Sequence, residues 1–455
     1  MVFSKVIKLL FNVLTSLLLI FGFLFNLLDL ETGYFFFGNT NLIGVGLLED
    51  NEKVGEWKVY TKHKPEENPE SSLLRVDPKV FDEKYDQTKP VFTLNFKADV
   101  PDGIFQQFYP TGQIKRLANY SIGEFEGEYF EYWENGELSV SGNFQSGKKN
   151  GEWKEFFPGG AEKLVMEYSM DTLDGSVKTF FPNGIVEASI PYRRGKIDGE
   201  YSLFFSDGSI KEKGAYREGV LDGPFSDYYE GGKTRSFGFF INDKASGEWK
   251  FWNEEGALET VGNYRVGEKV GEWTEKDDLY PKYSRKGEYV ADKKERVWQL
   301  LDERGIILQE EIYQSDKLIS LSAFRLNGVE LPDKNVSKGK GKRIYYDENG
   351  NKIASGSISK GIRSGLWYHY FPNSGKVFSK GRYQGNEKIG TWEFYTESGE
   401  IKEIKSFDKV DDSISGDFVA DSPYRYKTPD FGSAQREFQE RMLSIQNNPS
   451  SQLLK

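Results

Sequence analysis

The chain has 455 residues, no cysteine, two histidines, 48 glycines, 15% aromatic residues and a formal net charge of −11. Without cysteine there is no disulfide, thiolate metal site or cysteine nucleophile. The acidic balance argues against nucleic acid, which needs basic surface to neutralise phosphates, and against an anionic membrane surface. Taken in order, residues 9–28 make a run of 20 without a charge, enough for a helix at ~1.5 Å per residue to cross a hydrocarbon core of ~30 Å. Lys5 and Lys8 precede it and Asp29 and Glu31 follow, so the positive-inside rule sets the N-terminus in the cytoplasm. Tyr34 and Phe35 to Phe37 fit a far-interface aromatic belt. A cleaved signal peptide is the competing reading, but its apolar core is roughly 7–15 residues and ends at small residues; the first alanine here is Ala98. Residues 1–30 are therefore expected to be an uncleaved, single-pass transmembrane helix.

Residues 31–90 read as a linker. Gly55-Glu56-Trp57 with Tyr60 looks like one degenerate repeat start, and 63–89 is rich in Pro, Glu, Asp and Lys. Phe92, Leu94 and Phe96 then alternate as a strand does. From Gly103 a glycine recurs at Gly127, Gly151, Gly175, Gly199, Gly223, Gly247 and Gly271, always 24 residues on. Self-similarity at a fixed short period is the mark of a repeat array, here over residues 91–273.

Counting the leading glycine as position 0, an aromatic sits at +2 in most units (Tyr129, Trp153, Tyr201, Phe225, Trp249, Trp273) and a glycine at +9 in the first seven. Asn135-Gly136, Asn183-Gly184 and Asp207-Gly208 are the strongest short hairpin signals, because a type I′ turn needs φ > 0 at both central residues. A two-residue turn there pairs +6 with +11 and +2 with +15, the latter often glycine (Gly142, Gly214, Gly238, Gly262). Positions +2, +6, +11, +15 and the aromatic +17 then share one face, with the +5 ring on the other among Glu, Lys, Ser and Asn. A second turn near +20 hands the chain to the next hairpin. The expectation is an all-β, single-layer antiparallel meander.

The pattern G-E-W-x-x-F-F-x-x-G-x-L, followed by G-x-Y, resembles the MORN-repeat family, specifically its bacterial MORN-variant branch, over 103–273 and again over 339–407. The resemblance implies an elongated array of β-hairpins that binds proteins or lipids, in a family some of whose bacterial members are labelled antitoxins of toxin–antitoxin systems. The charges flanking residues 9–28 set everything after residue 30 outside the cytoplasm, so the expected location is the bacterial inner membrane with the repeats facing the periplasm or cell exterior.

Beyond Gly271 the pattern blurs. Residues 274–340 read as degenerate repeats, with Arg296 in the zero position, Trp298 at +2 and Gly305 at +9. Clean repeats return at Gly341, Gly365 and Gly390, giving a second array over 341–410. The tail, 411–455, contains Ser433 as an N-cap and Phe438, Met442 and Ile445 at i, i+4, i+7, a short helix expected to cap the last hairpin's edge.

Chemistry is hard to find. His63 lies in the polar linker and His369 at +4 of a repeat strand, and neither pairs with the other in sequence. Residues 142–149, GNFQSGKK, nearly spell a phosphate-binding loop but end in Lys149 where a hydroxyl is required, on a strand and turn instead of a strand–loop–helix. The 71 acidic residues mostly fit a solvated face. No catalytic, cofactor-binding or metal residue is assigned, no cofactor is expected, and the partner-binding residues are unknown. The expected role is a non-enzymatic, membrane-anchored protein-binding scaffold within a larger membrane complex. The alternatives are a cell-wall glycan module that stacks sugars on the aromatic ladder, and an immunity-type antitoxin.

Overall fold

The computed structural model describes residues 33–38, 42–61, 74–75, 89–277, 280, 282–332, 336–372 and 374–407. The helices expected over 1–30 and 433–446 lie outside these residues. Among the described residues there is no helix at all, hence none long and apolar enough to cross a membrane. They form antiparallel strands in sequence order, as the repeat pattern requires. Contacts divide them into two units, one up to Gly199 with Ser206–Gly208, the other Glu200–Phe205 with everything from Ser209 onward.

In the first unit, Leu42–Glu49 pairs with Gly33–Gly38 and with Glu52–Thr61. Phe92–Lys97 lies directly beside Glu52–Thr61, with Gly55 opposite Phe96. The meander then runs through Val100–Phe108, Ile114–Ser121, Gly127–Tyr132, Leu138–Gln145, Gly151–Phe156, Glu162–Ser169, Thr172–Phe180 and Val186–Arg193. The second unit repeats this from Ile210–Arg217 through Gly223–Tyr228, Thr234–Ile241, Lys244–Trp252, Leu258–Arg265 and Glu268–Lys276 to Ile307–Gln314 and Lys317–Leu321. A small hairpin, Phe324–Leu326 with Val329–Leu331, separates this run from a seven-stranded sheet that starts at Val336–Ser337 and ends at Ile401–Phe407.

The two turns of each unit are the reverse of the expectation. At Asn135-Gly136 only Gly136 has positive φ, +87°. Trp133 N–H donates to the Glu137 carbonyl (2.7 Å) and Gly136 N–H to that of Trp133 (2.8 Å), closing a three-residue loop. The Asn135 side chain accepts from Glu137 N–H (3.0 Å), which holds this loop. The paired positive φ values fall instead in the second turn, at Ile122-Gly123, Met170-Asp171 and Asn242-Asp243. These are the tight two-residue connections.

The expected pairing of +2 with +15 nonetheless holds, Tyr129 opposite Gly142 and Trp249 opposite Gly262. The third loop residue shifts the register by one, pairing +5 with +11 (Tyr132 with Leu138), and a bulge between Leu138 and Val140 shifts it back. That bulge also turns +11 away from the inner face, so Leu258 is 51% exposed and Ile401 55%. The inner face carries +2, +4, +13, +15 and +17. The +6/+11 contact does not form because a bulged residue flips the strand between them.

The ring that covers each glycine comes from the next strand along, not from its own hairpin. A Cβ placed on Gly142 would fall 2.2 Å from Trp153, and one on Gly262 2.0 Å from Trp273. The leading glycine makes this possible. Gly271 takes φ +70°, and residues 271–273 bulge against Val261–Asn263, which lays Trp273 flat over Gly262. Its indole N–H then donates to the Asn263 carbonyl at 3.2 Å, as Trp153 does to Asn143 and Trp392 to Arg382 at 3.2 and 3.3 Å. These rings make a dry layer on the sheet face. Asp side chains at the tight turns add a second tie, Asp171 to Lys149 N–H (2.9 Å) and Asp292 to Lys269 N–H (2.7 Å).

Candidate functional site

Three side-chain groupings could carry function, and each follows from the inner or outer face just described. The first is the tryptophan ladder. Trp153, Trp249, Trp273, Trp298, Trp367 and Trp392 are all buried. A lysine two residues before the leading position lies over several of them, Lys149 Nζ 4.3 Å from the Trp153 ring centre and 5.3 Å from Tyr168, Lys294 4.1 Å from Trp298. Burial pushes the Lys294 amine below its ordinary pKa, and the Glu275 carboxylate only partly offsets this. With a sheet beneath and lysines above, these rings are closed to a stacked sugar. The motif K-x-x-x-W was visible in the sequence (Lys149, Lys269, Lys294, Lys388), but its cation–π meaning was not.

The second grouping is polar and buried at +4 and +13, which sequence reading missed. Glu212 and Asp227 stand directly opposite each other, both buried. Tyr201 O–H donates to Glu212 (2.7 Å), while Ser236 O–H (2.6 Å) and Arg235 hold Asp227. Burial, then the neighbouring Asp227, raises the Glu212 carboxyl against the Tyr201 hydrogen bond. The pair resembles an acid–base couple in composition, and its hydrogen bonds run to Tyr201, Ser236 and Arg235.

His369 stands at +4 as expected and meets Ser379 at +13 register, Nδ1 2.9 Å from Oγ. The ring is tilted against Trp392, centres 5.5 Å apart. Burial first, then Lys388 and Arg363, pushes its pKa down to about 3, which makes it a weak base. Ser379 is fully buried and His369 half-buried. His63 lies outside the described residues. Among the described residues no three His, Asp or Glu converge as a metal site. Residues 142–149 do lie on a strand and turn, with Lys149 committed to Trp153.

The third grouping is the junction of the second unit. Glu311 occupies +15, where many units have glycine, opposite Trp298. Arg343 occupies +2, where most units have an aromatic residue, opposite Gly356. The two form a buried ion pair. Arg343 also reaches Gln309 (3.0 Å), Arg285 reaches Glu311 (2.7 Å) and Asp277, and Tyr313 O–H donates to Glu311 (2.7 Å). Burial alone would raise the Glu311 carboxyl, but the Arg285 and Arg343 guanidiniums hold it well below the usual carboxylate range. Tyr280, Leu300, Phe324, Ile344 and Tyr346 pack beside this network.

On the outer face the +5 rings stand as expected, Tyr132, Phe156, Phe180, Tyr228 and Trp252, half-buried. One strand departs from its polar neighbours. Thr234–Ile241 turns Phe237, Phe239 and Ile241 outward, 37%, 44% and 55% exposed, with the two rings 5.5 Å apart.

The family described as MORN repeat variant matches the chain four times, over 101–121, 125–146, 173–194 and 388–409. The chain therefore carries MORN-variant repeats in both of its regular arrays. No curated protein matches it. Among solved structures it is similar to the Photorhabdus luminescens Tc holotoxin pore carrying TccC3-D651A, at 11% identity and a TM-score of 0.13, over 83% of this chain and 24% of that one. It is similar also to the TcdB2-TccC3-Cdc42 structure, at 12% identity and a TM-score of 0.13, over 82% of this chain and 24% of that one. The chain thus spans about a quarter of the length of these structures, and TM-scores of that size carry no argument about fold.

Proposed function

We propose that this protein is a non-enzymatic scaffold whose hairpin array binds another protein, held at the bacterial inner membrane by residues 1–30, with the repeats outside the cytoplasm as part of a larger complex. MORN-variant repeats support a repeat-built binding protein in general terms. The observation that carries the specific reading is the outward strand of Phe237, Phe239 and Ile241. Clustered exposed rings on a sheet face whose other rings are half-buried mark a contact surface, and aromatic anchors contribute most of the energy of such contacts. The uncharged run over 9–28 supports the anchor.

The test is crosslinking in native membranes followed by affinity purification of the full-length protein and of its Phe237→Ser, Phe239→Ser double variant. A stoichiometric protein held by the first and lost from the second, with the array still folded by circular dichroism, supports the reading. A partner held equally by both, or none at all, sinks it.

A further inference from the structure

The sequence contains four Asn-Gly pairs, at Asn135, Asn183, Asn327 and Asn349. In such a pair the glycine nitrogen can attack the asparagine side-chain carbon, because the following residue has no Cβ to obstruct the approach. The fold treats the four differently. Three lie in three-residue loops where the glycine N–H is committed to a carbonyl, Gly136 to Trp133 (2.8 Å), Gly184 to Phe181 (2.9 Å) and Gly350 to Asp347 (3.1 Å). A nitrogen held in this way is fixed in direction and slow to give up its proton.

The side chains in these loops are tied as well. Asn135 Oδ1 accepts from Glu137 N–H (3.0 Å) while its Nδ2 donates to the Glu137 carboxylate (2.9 Å). Asn183 Oδ1 accepts from Ile185 N–H (3.1 Å) and its Nδ2 donates to the Ser206 carbonyl (3.0 Å). At the fourth site Asp347 Oδ1 accepts from the N–H of Asn349 (2.9 Å) and of Asn351 (2.7 Å). The hairpins carrying Asn135 and Asn349 are also hydrogen-bonded to further strands on both sides.

Asn327-Gly328 is the exception. It is a tight two-residue connection with φ +49° and +81°, and Leu326 stands opposite Val329. Both residues are exposed. Among the described residues nothing ties the Asn327 amide or the Gly328 N–H in the way the other three are tied. Its hairpin has three residues to a strand and forms a two-stranded sheet of its own, a kind of pairing that is marginal in water. Phe324 anchors the base in the cluster of Tyr280, Leu300 and Tyr346, with Leu326 and Leu331 packed against it. The tip can therefore open without the base leaving the core, and local opening of this kind has the lowest free energy where few bonds must break.

We propose that Asn327 is a site of spontaneous modification, the first of the four to convert to aspartate and isoaspartate. When the turn opens, the Gly328 nitrogen gives its proton to solvent base and bonds to Asn327 Cγ. The Cγ–Nδ2 bond breaks and Nδ2 leaves as ammonia, taking up a proton, so that a five-membered imide remains. Water then adds to one of the two imide carbonyls and opens the ring. Opening at one carbonyl gives aspartate; at the other it gives isoaspartate, with the main chain running through Cγ. Either product places a new carboxylate beside the Arg325–Glu330 pair (2.9 Å). Isoaspartate also lengthens the main chain by one carbon in the hairpin that separates the long sheet from the seven-stranded one. The inference is independent of the protein-binding reading above.

The test is to hold the full-length protein in detergent at mildly alkaline pH, sample it over time, and map all four sites by peptide mass spectrometry. Fragmentation distinguishes isoaspartate from aspartate at residue 327. A parallel sample in concentrated urea supplies the unfolded rates. In the folded protein Asn327 is expected to react roughly tenfold or more faster than the other three, whose loops must first give up hydrogen bonds. In urea the four rates are expected to converge, because each asparagine is followed by glycine. Equal rates at the four sites of the folded protein, a faster reaction at any of the other three, or no reaction at residue 327 while the urea sample reacts overturns the proposal.

Discussion

Between Thr234 and Lys276 neighbouring hairpins are held by Trp249 over Gly238 and Trp273 over Gly262, each indole N–H satisfied by a carbonyl. Between Ile307 and Tyr346 the same two repeat positions hold Glu311 and Arg343. The apolar contact needs only a missing Cβ and a flat ring, because burying an indole is itself favourable. The ionic contact needs a retinue of Arg285, Asp277, Gln309 and Tyr313, because taking charges out of water costs several kcal/mol per ion unless each lone pair is met. Residues 322–335 intervene between the long sheet and the seven-stranded one, and Arg343 comes from a strand not hydrogen-bonded to that of Glu311. A long, directional pair spans a separation that a ring lying on glycine does not.

The comparison breaks most readily at the charges. Glu311→Ala removes the carboxylate that the buried Arg343 and the half-buried Arg285 share, and is expected to cost about 3–5 kcal/mol in urea unfolding, as much as Trp273→Ala in the regular run. A cost near zero would mean water already reaches the junction. Transplanting the apolar contact with Glu311→Gly and Arg343→Trp together is expected to fall within about 1 kcal/mol of the parent if a ring can span the gap. If the full cost of Glu311→Ala persists, only the longer pair fits.

Gly262→Ala forces a methyl into Trp273 and is expected to cost about 1–3 kcal/mol, with a red shift of tryptophan emission. An unchanged spectrum would show that the ring moves aside freely. His369 sharpens the contrast through pH. Its pKa is about 3 in the fold against about 6.5 unfolded, so the unfolded chain binds a proton the native one does not. Stability is therefore highest above about pH 6.5, falls as the pH drops and levels off only below the folded value, a loss of about 2 kcal/mol between pH 7 and 5 that His369→Gln should abolish. The smallest effect concerns Arg296, which holds a φ of +59° where other units have glycine. Arg296→Gly is expected to stabilise by up to about 1 kcal/mol, less the small share of its exposed 2.8 Å pair with Glu288. Calorimetry decides.

The period, the hairpins and the +2/+15 register were legible because glycine and aromatic spacing reports backbone geometry directly. The turn types were not. Asn135-Gly136 serves a three-residue loop as well as a two-residue one, and residues such as Ile122 and Met170 adopt positive φ in the tight turns only because the flanking strands impose it. Two errors in the loop cancelled, through the bulge at Leu138/Val140, and left the right pairing for an incomplete reason. Arg343 and Glu311 were visible as departures from the consensus. Only the fold shows that one departure answers the other across 32 residues. The outward Phe237 and Phe239 were hidden because an aromatic-rich repeat makes every ring look like core.

Because each inward tryptophan at +2 rests on a glycine contributed by the preceding repeat, the unit that reads naturally from glycine to glycine never contains a whole contact. A block of residues 247–270 has Trp249 without Gly238 and Gly262 without Trp273. A block of residues 238–261 is the same length and contains Gly238 and Trp249 together. Recombination that removes or duplicates 24 residues at any point in the regular run leaves every such pairing in phase. Gene-level lengthening and shortening is thus tolerated by whole periods wherever the cut falls, while a module meant to be transplanted must be excised in the shifted frame.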